Sequence, residues 1–175
     1  APSARIPAFN PSASHFKLSL FAKAGNAVTS ELRLGIASEA QLGYDQLDAE
    51  MPPTPFAPVQ IFFTDIQQVD NALQSSRYLH NFQPPADQEN IWDVTLQATE
   101  FDLVTVHVRG VESVPSEFNI YLEDHMTGLR VDLRQRARHD VRPELESRGS
   151  ERRFKIRITR TQLGMELVDW IPAVS

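Results

Sequence analysis

The stretch Phe16-Lys17-Leu18-Ser19-Leu20-Phe21-Ala22-Lys23 decides the fold. Apolar Phe16, Leu18, Leu20 and Ala22 stand at every second position. An extended chain turns successive side chains to opposite faces, so this spacing makes one buried face and one wetter face. It predicts a strand. The same period recurs at Leu32, Leu34, Ile36; at Trp92, Val94, Leu96; at Val104, Val106, Val108; at Phe118, Ile120, Leu122; at Val131, Leu133; and at Phe154, Ile156, Ile158. Strands that are wet on one face pair most naturally in antiparallel sheets. Turn-forming residues separate the runs at Gly25-Asn26, Gly110 to Pro115, Thr127-Gly128 and Arg148-Gly149-Ser150. The expected fold is therefore all-β: an antiparallel β-sandwich with jelly-roll or Greek-key connections. Its expected core is Leu18, Leu20, Leu34, Ile36, Ile61, Trp92, Val94, Leu96, Val104, Val106, Phe118, Ile120, Leu133, Phe154 and Ile156. The Arg153, Lys155 and Arg157 side of the Phe154 run reads as a solvated face that protects against edge pairing.

Two stretches depart from this pattern. Ile66, Val69 and Leu73 fall at three- and four-residue steps behind Thr64 or Asp65, which predicts one short helix within Asp65 to Leu79. The run Met51-Pro52-Pro53-Thr54-Pro55-Phe56-Ala57-Pro58 must be extended or polyproline chain, and reads as a crossing loop. One domain over residues 15–170 is expected, with an extended segment at 1–14 and a tail at 171–175.

At 175 residues, 41% hydrophobic and 23% charged, the chain has ordinary globular composition. A net charge of -6 gives no nucleic-acid footprint, and no apolar run is long enough for a spanning helix, so neither nucleic acid nor membrane insertion is expected. The chain has no cysteine, which excludes disulfides, thiolate metal sites and cysteine nucleophiles. Ala1-Pro2-Ser3-Ala4-Arg5 lacks the apolar core of a signal peptide, so a secreted form would already have lost its leader.

The segment from Leu34 to Pro55 contains Gly43-Tyr44-Asp45-Gln46-Leu47-Asp48 and the double proline Pro52-Pro53. Ile91-Trp92-Asp93-Val94, Val114-Pro115, Leu122-Glu123-Asp124, Val131-Asp132-Leu133-Arg134 and Ser150 to Ile156 follow in order. This series resembles a β-sandwich module that precedes the C-terminal sorting domain of type IX secretion, or an immunoglobulin-like tail, in large secreted bacterial proteins. The resemblance spans roughly residues 15 to 160. It departs at Gln41, where threonine is usual, and over Asp65 to His80. It implies an extracellular or cell-surface module, and says much less about activity.

Candidate chemistry is sparse. Tyr44, Asp45 and Asp48, with Glu39 and Glu50 nearby, offer oxygen ligands of the kind Ca²⁺ takes, but their order is not that of an EF-hand. A structural turn is the favoured reading: Gly43, Tyr44, Asp45 and Asp48 satisfy backbone groups, and Pro52 and Pro53 fix the exit. Tyr44 and Trp92 as a sugar platform compete with ordinary core roles. The histidines at 15, 80, 107, 125 and 139 are scattered, and no Gly-x-Ser-x-Gly, His-Glu-x-x-His or phosphate-cradling loop is present. His107 reads as exposed. Glu123, Asp124 and His125 read as a solvated hairpin turn. The arginines between Arg130 and Arg142 read as partners for acidic loops of the same domain. Phe21, Phe62, Tyr78, Tyr121 and Trp170 are the outward aromatic candidates.

The ends are apolar for free tails. Ile6, Phe9, Leu167, Val168, Trp170 and Ile171 are expected to dock either on their own sandwich or, the favoured reading, as assembly contacts on a neighbouring domain or an identical subunit, with edge-strand addition as one route. The sequence thus predicts a structural or assembly module without cofactor, metal or catalytic residues. A carbohydrate-binding module is the alternative, with a glycan as partner.

Overall fold

The computed structural model describes residues 16–40, 47–52, 57–69, 72–98, 103–142 and 151–160. They form β1 (Phe16–Ala24), β2 (Ala27–Val28), β3 (Leu32–Ile36), β4 (Ala49–Glu50), β5 (Val59–Val69), β6 (Ala72–Gln83), β7 (Glu89–Ala98), β8 (Val104–Arg109), β9 (Phe118–Asp124), β10 (Arg130–Asp132), β11 (Arg138–Val141) and β12 (Glu151–Arg160). All twelve belong to one mixed sheet of order β10-β9-β12-β7-β5-β6-β3-β1-β8-β11, with β2 beside β1 and β4 beside β6. The sheet curls until it nearly closes as a barrel. Every expected core residue is buried, and inward positions of facing strands match, as in Leu18↔Leu34, Val94↔Phe154 and Leu122↔Ile156.

Three expectations are corrected. Asp65 to Leu79 holds no helix: β5 and β6 pair there from Phe63↔Tyr78 to Val69↔Ala72. The helical spacing rested on three apolar residues, and an isolated helix of that length is marginal, whereas the ladder satisfies the backbone of both strands. Nor is the sheet purely antiparallel, because β3 and β6 run parallel from Arg33↔His80 to Ile36↔Gln83. Finally, the cations of β12 do not guard an edge, since β12 lies between β7 and β9.

Strand β6 makes the change of direction possible. Tyr78 faces the core opposite Phe63, yet Leu79 also packs against the core, and the register of β4 on β6 shifts between Tyr78 and His80. The two-residue phase of β6 therefore changes at that point. Beyond it, the Trp92 indole N–H donates to the Asn81 carbonyl at 3.0 Å, and Gln83 Nε2 donates to the Ile91 carbonyl at 2.7 Å. Buried Asn90 holds the following turn by donating to Gln83 Oε1 and the Pro84 carbonyl, both at 3.0 Å, and by accepting from the Ala86 N–H at 3.3 Å. Beside this crossing, Gly35 is required by space. A Cβ there would lie 2.1 Å from the Phe16 carbonyl oxygen and 3.0 Å from the Phe82 ring.

Candidate functional site

The two ends of the sheet path, β10 and β11, are consecutive in sequence, and residues 133–137 carry the chain from one to the other. Leu133 is buried and its N–H donates to the Ile120 carbonyl at 3.0 Å. Asp132 Oδ1 accepts the Arg134 N–H at 2.9 Å. The Arg134 guanidinium then bonds the carbonyl oxygens of Val114, Pro115 and Phe118 at 2.7 to 3.2 Å. A planar fork with several donors suits this task, because it can meet several carbonyls at once where the chain enters β9. These arginine contacts are to backbone rather than to the acidic loops expected from sequence.

Asp124 and His139 bridge the same seam from inside. On β9 the inward row is Phe118, Ile120, Leu122, Asp124; on β11 it is His139 and Val141. His139 Nε2 lies 3.1 Å from Asp124 Oδ2, while Asp124 Oδ1 accepts the Met126 N–H at 2.9 Å. The Asp124 side chain is fully buried and that of His139 is 10% exposed. The imidazole also meets Phe154 edge-on, with ring centroids 6.0 Å apart. The solvated-turn reading of Glu123 to His125 therefore fails for Asp124: one oxygen of its buried carboxylate joins β9 to His139 of β11, and the other closes its own turn on Met126. The pair is a latch, and its geometry gives it a positioning role within the scaffold.

The outer surface divides into two faces whose charges are paired differently. Over β7, β12 and β9, Arg157 Nε bonds Glu123 and Arg157 Nη1 bonds Glu89 at 2.5 Å. Lys155 approaches Asp93 at 4.0 Å. The bond from Arg157 holds the Glu123 carboxyl below its ordinary range, and both glutamates raise the Arg157 guanidinium. Aromatic rings on this side and on neighbouring β5 are capped by cations: the Arg130 guanidinium sits 3.7 Å from the Tyr121 ring centre, and that of Arg77 4.4 Å from Phe62.

Over β11, β8, β1 and β3 two of the cations, Arg33 and Arg109, share the single carboxylate of Glu31. The facing rows are Arg138↔His107↔Phe21 and Arg109↔Ser19↔Arg33, with exposed Lys23 opposite Thr105. His107 stacks on Phe21 with ring centroids 4.9 Å apart, and Arg109 covers the same ring at 4.4 Å. Glu31 reaches Arg33 only at 3.6 Å and Arg109 at 4.0 Å, and the Arg109 side chain stays 67% exposed. Asp140 is engaged by Arg136 at 3.5 Å and by the Thr105 hydroxyl at 2.8 Å. Burial, then Lys23, Arg138 and Arg109, push the His107 imidazole below its ordinary range, against a smaller opposing effect of Asp140. Burial, Arg33 and Lys17 act likewise on His80, against Glu31, and His80 Nδ1 is buried without a hydrogen-bond partner.

Among the residues expected to matter, Asp48 Oδ1 accepts the Phe82 N–H at 3.2 Å, and Pro52 is exposed. Gly43, Tyr44, Asp45 and Pro53 lie outside the described residues. So do the assembly candidates Ile6, Phe9, Leu167, Val168, Trp170 and Ile171. Among the described residues no group of three His, Asp or Glu is placed to hold a metal ion. Of the outward aromatic candidates, Phe21, Phe62 and Tyr78 are buried, Tyr121 is half-buried, and Trp170 is outside the described residues. His107 is half-buried rather than exposed. The signal that would have found Asp124 was the period itself, which carries the inward row of β9 one step past Leu122.

Comparison of the chain with protein-family models, with curated proteins and with solved structures finds no match.

Proposed function

We propose that this chain is a non-catalytic structural or assembly module of a secreted or cell-surface protein, joining a neighbouring domain or identical subunits. In this reading the curled sheet is a sandwich with jelly-roll or Greek-key connections, β9-β12-β7-β5 packing on β3-β1-β8-β11 and β6 passing from one half to the other. The observation that carries the proposal is the use made of buried polar groups. Asp124, His139 and Asn90 are bonded to scaffold atoms, as expected where rigidity is the product. The guanidinium-capped rings of Phe21, Phe62 and Tyr121 make a poor stacking platform for neutral sugars, which weighs against the carbohydrate-binding alternative. The resemblance to modules of the type IX secretion route supports the extracellular setting.

Sedimentation velocity over a concentration series tests this. The whole chain should self-associate or bind its neighbouring domain, and chains lacking residues 1–12, or those after Val168, should lose that association with little change in melting temperature. A deletion that unfolds a strictly monomeric chain would assign the ends to its own core and remove the proposal. Turnover of a glycoside or ester substrate would remove the non-enzyme reading.

A further inference from the structure

We propose that the outer face of β11, β8, β1 and β3 binds an acidic polysaccharide, whose carboxylate or sulfate groups are met by Arg138, Lys23, Arg109 and Arg33. On this face Arg33, Arg109, Arg138 and Lys23 stand against the carboxylates of Glu31 and Asp140, in a protein whose net charge is -6. The weak hold of Glu31 on Arg33 and Arg109 leaves both guanidinium groups open to a stronger anionic partner. Like charges held side by side are unfavourable, and a bound anion relieves that repulsion. Burial first, and then the neighbouring cations, lower the imidazoles of His107 and His80.

The shape selects the ligand. Arg109 and Arg33 lie opposite one another across Ser19, so their backbones are two strand spacings apart, roughly 10 Å. Cations spaced this way along a sheet suit a linear polymer with periodic, well-separated charges. Duplex nucleic acid carries far denser charge than four separated cations can match. Phe21 is already covered by His107 and Arg109, so recognition here rests on charge rather than on ring stacking. The inference is independent of the assembly reading and can fail without it.

Heparin serves as the probe, titrated into the whole chain by calorimetry at low and high salt, with neutral dextran, poly-glutamate and duplex DNA as comparisons. Heparin should bind at low salt and lose affinity as salt rises, while dextran does not bind. Replacing Arg109→Ser together with Arg138→Ser should weaken heparin on the order of tenfold, whereas Arg130→Ser, against Tyr121 on the other side, should not. Unchanged melting temperatures establish that the variants fold. The His107 ring signal in NMR should titrate at higher pH with heparin bound, which a merely structural role would not produce. No binding at low salt, or equal binding by the double variant, overturns the proposal. DNA or poly-glutamate binding more tightly than heparin overturns the glycan in favour of a nucleic acid or an acidic protein.

Discussion

The face over β7, β12 and β9 and the face over β11, β8, β1 and β3 are built alike, from outward positions of antiparallel strands, yet they use charge oppositely. On the first, Arg157 stands between Glu123 and Glu89, and Lys155 faces Asp93. On the second, Arg138, His107, Lys23, Arg109 and Arg33 stand together with Asp140 and Glu31 as the acids among them. Cross-strand pairing explains the difference: register sets Lys155 between Asp93 and Glu123 in one case, and cations opposite Ser19, Thr105 and His107 in the other. The first face therefore supports the fold through paired charges, while the second holds its cations with looser pairing to Glu31 and Asp140. Neither face decides whether the sheet closes, which depends on the seam within.

That ranking can be broken by substitution. Asp124→Ala should be the most damaging change, about 3 kcal/mol, because it strands a buried imidazole and frees the Met126 N–H. Urea unfolding measures it, and a loss no larger than that of a surface variant would show that Asp124 and His139 do not hold the seam. Arg157→Ala should cost about 1 kcal/mol, since three partly exposed side chains lose a shared arrangement, and the loss should shrink in high salt. Arg138→Ser should cost nothing or raise stability slightly, with the opposite salt dependence. Equal losses for Arg157→Ala and Arg138→Ser would erase the contrast between the faces.

Much of this was legible in the sequence because a strand's period is two and a core needs one side of it. Leu18, Val94, Ile120 and Ile156 are buried where that rule puts them. The same rule, carried through polar residues, reaches Asp124 after Leu122 and pairs His139 with Val141. Those two were missed because a charged residue in a hairpin is ordinarily wet, and their partnership spans the seam between the ends of the sheet path. The misread helix at Asp65 to Leu79 has a local cause: three apolar residues fit two periods, and only pairing between β5 and β6 arbitrates. The parallel β3–β6 contact and the phase change after Tyr78 depend on long-range register, which propensity does not encode. The cationic face depended equally on register. Lys23, Arg33, Arg109 and Arg138 are far apart in the chain and look like solubilising charges until the strands are aligned.

The smallest expected effect, and the most specific to the cationic face, is its response to acid. His107 in the folded protein titrates below its ordinary value, chiefly through burial and then through Lys23, Arg138 and Arg109. The unfolded chain then takes up the proton first as pH falls through the ordinary value of 6.5. Stability is full above that pH, declines as pH drops toward the lowered folded value, and levels once both states are protonated. His80, lowered by burial, Arg33 and Lys17, adds in the same direction. The reverse sign would hold if these rings gained carboxylate partners on folding. Removing a neighbouring cation by Lys23→Ser should bring the His107 titration back toward its ordinary position and flatten the decline, while Arg157→Ala should leave that titration where it is. NMR titration of the ring protons, alongside melting temperatures from pH 8 to pH 5, measures both. If Lys23→Ser leaves His107 titrating unchanged, the cations around it do not act as one field, and the two outer faces differ less than their geometry implies.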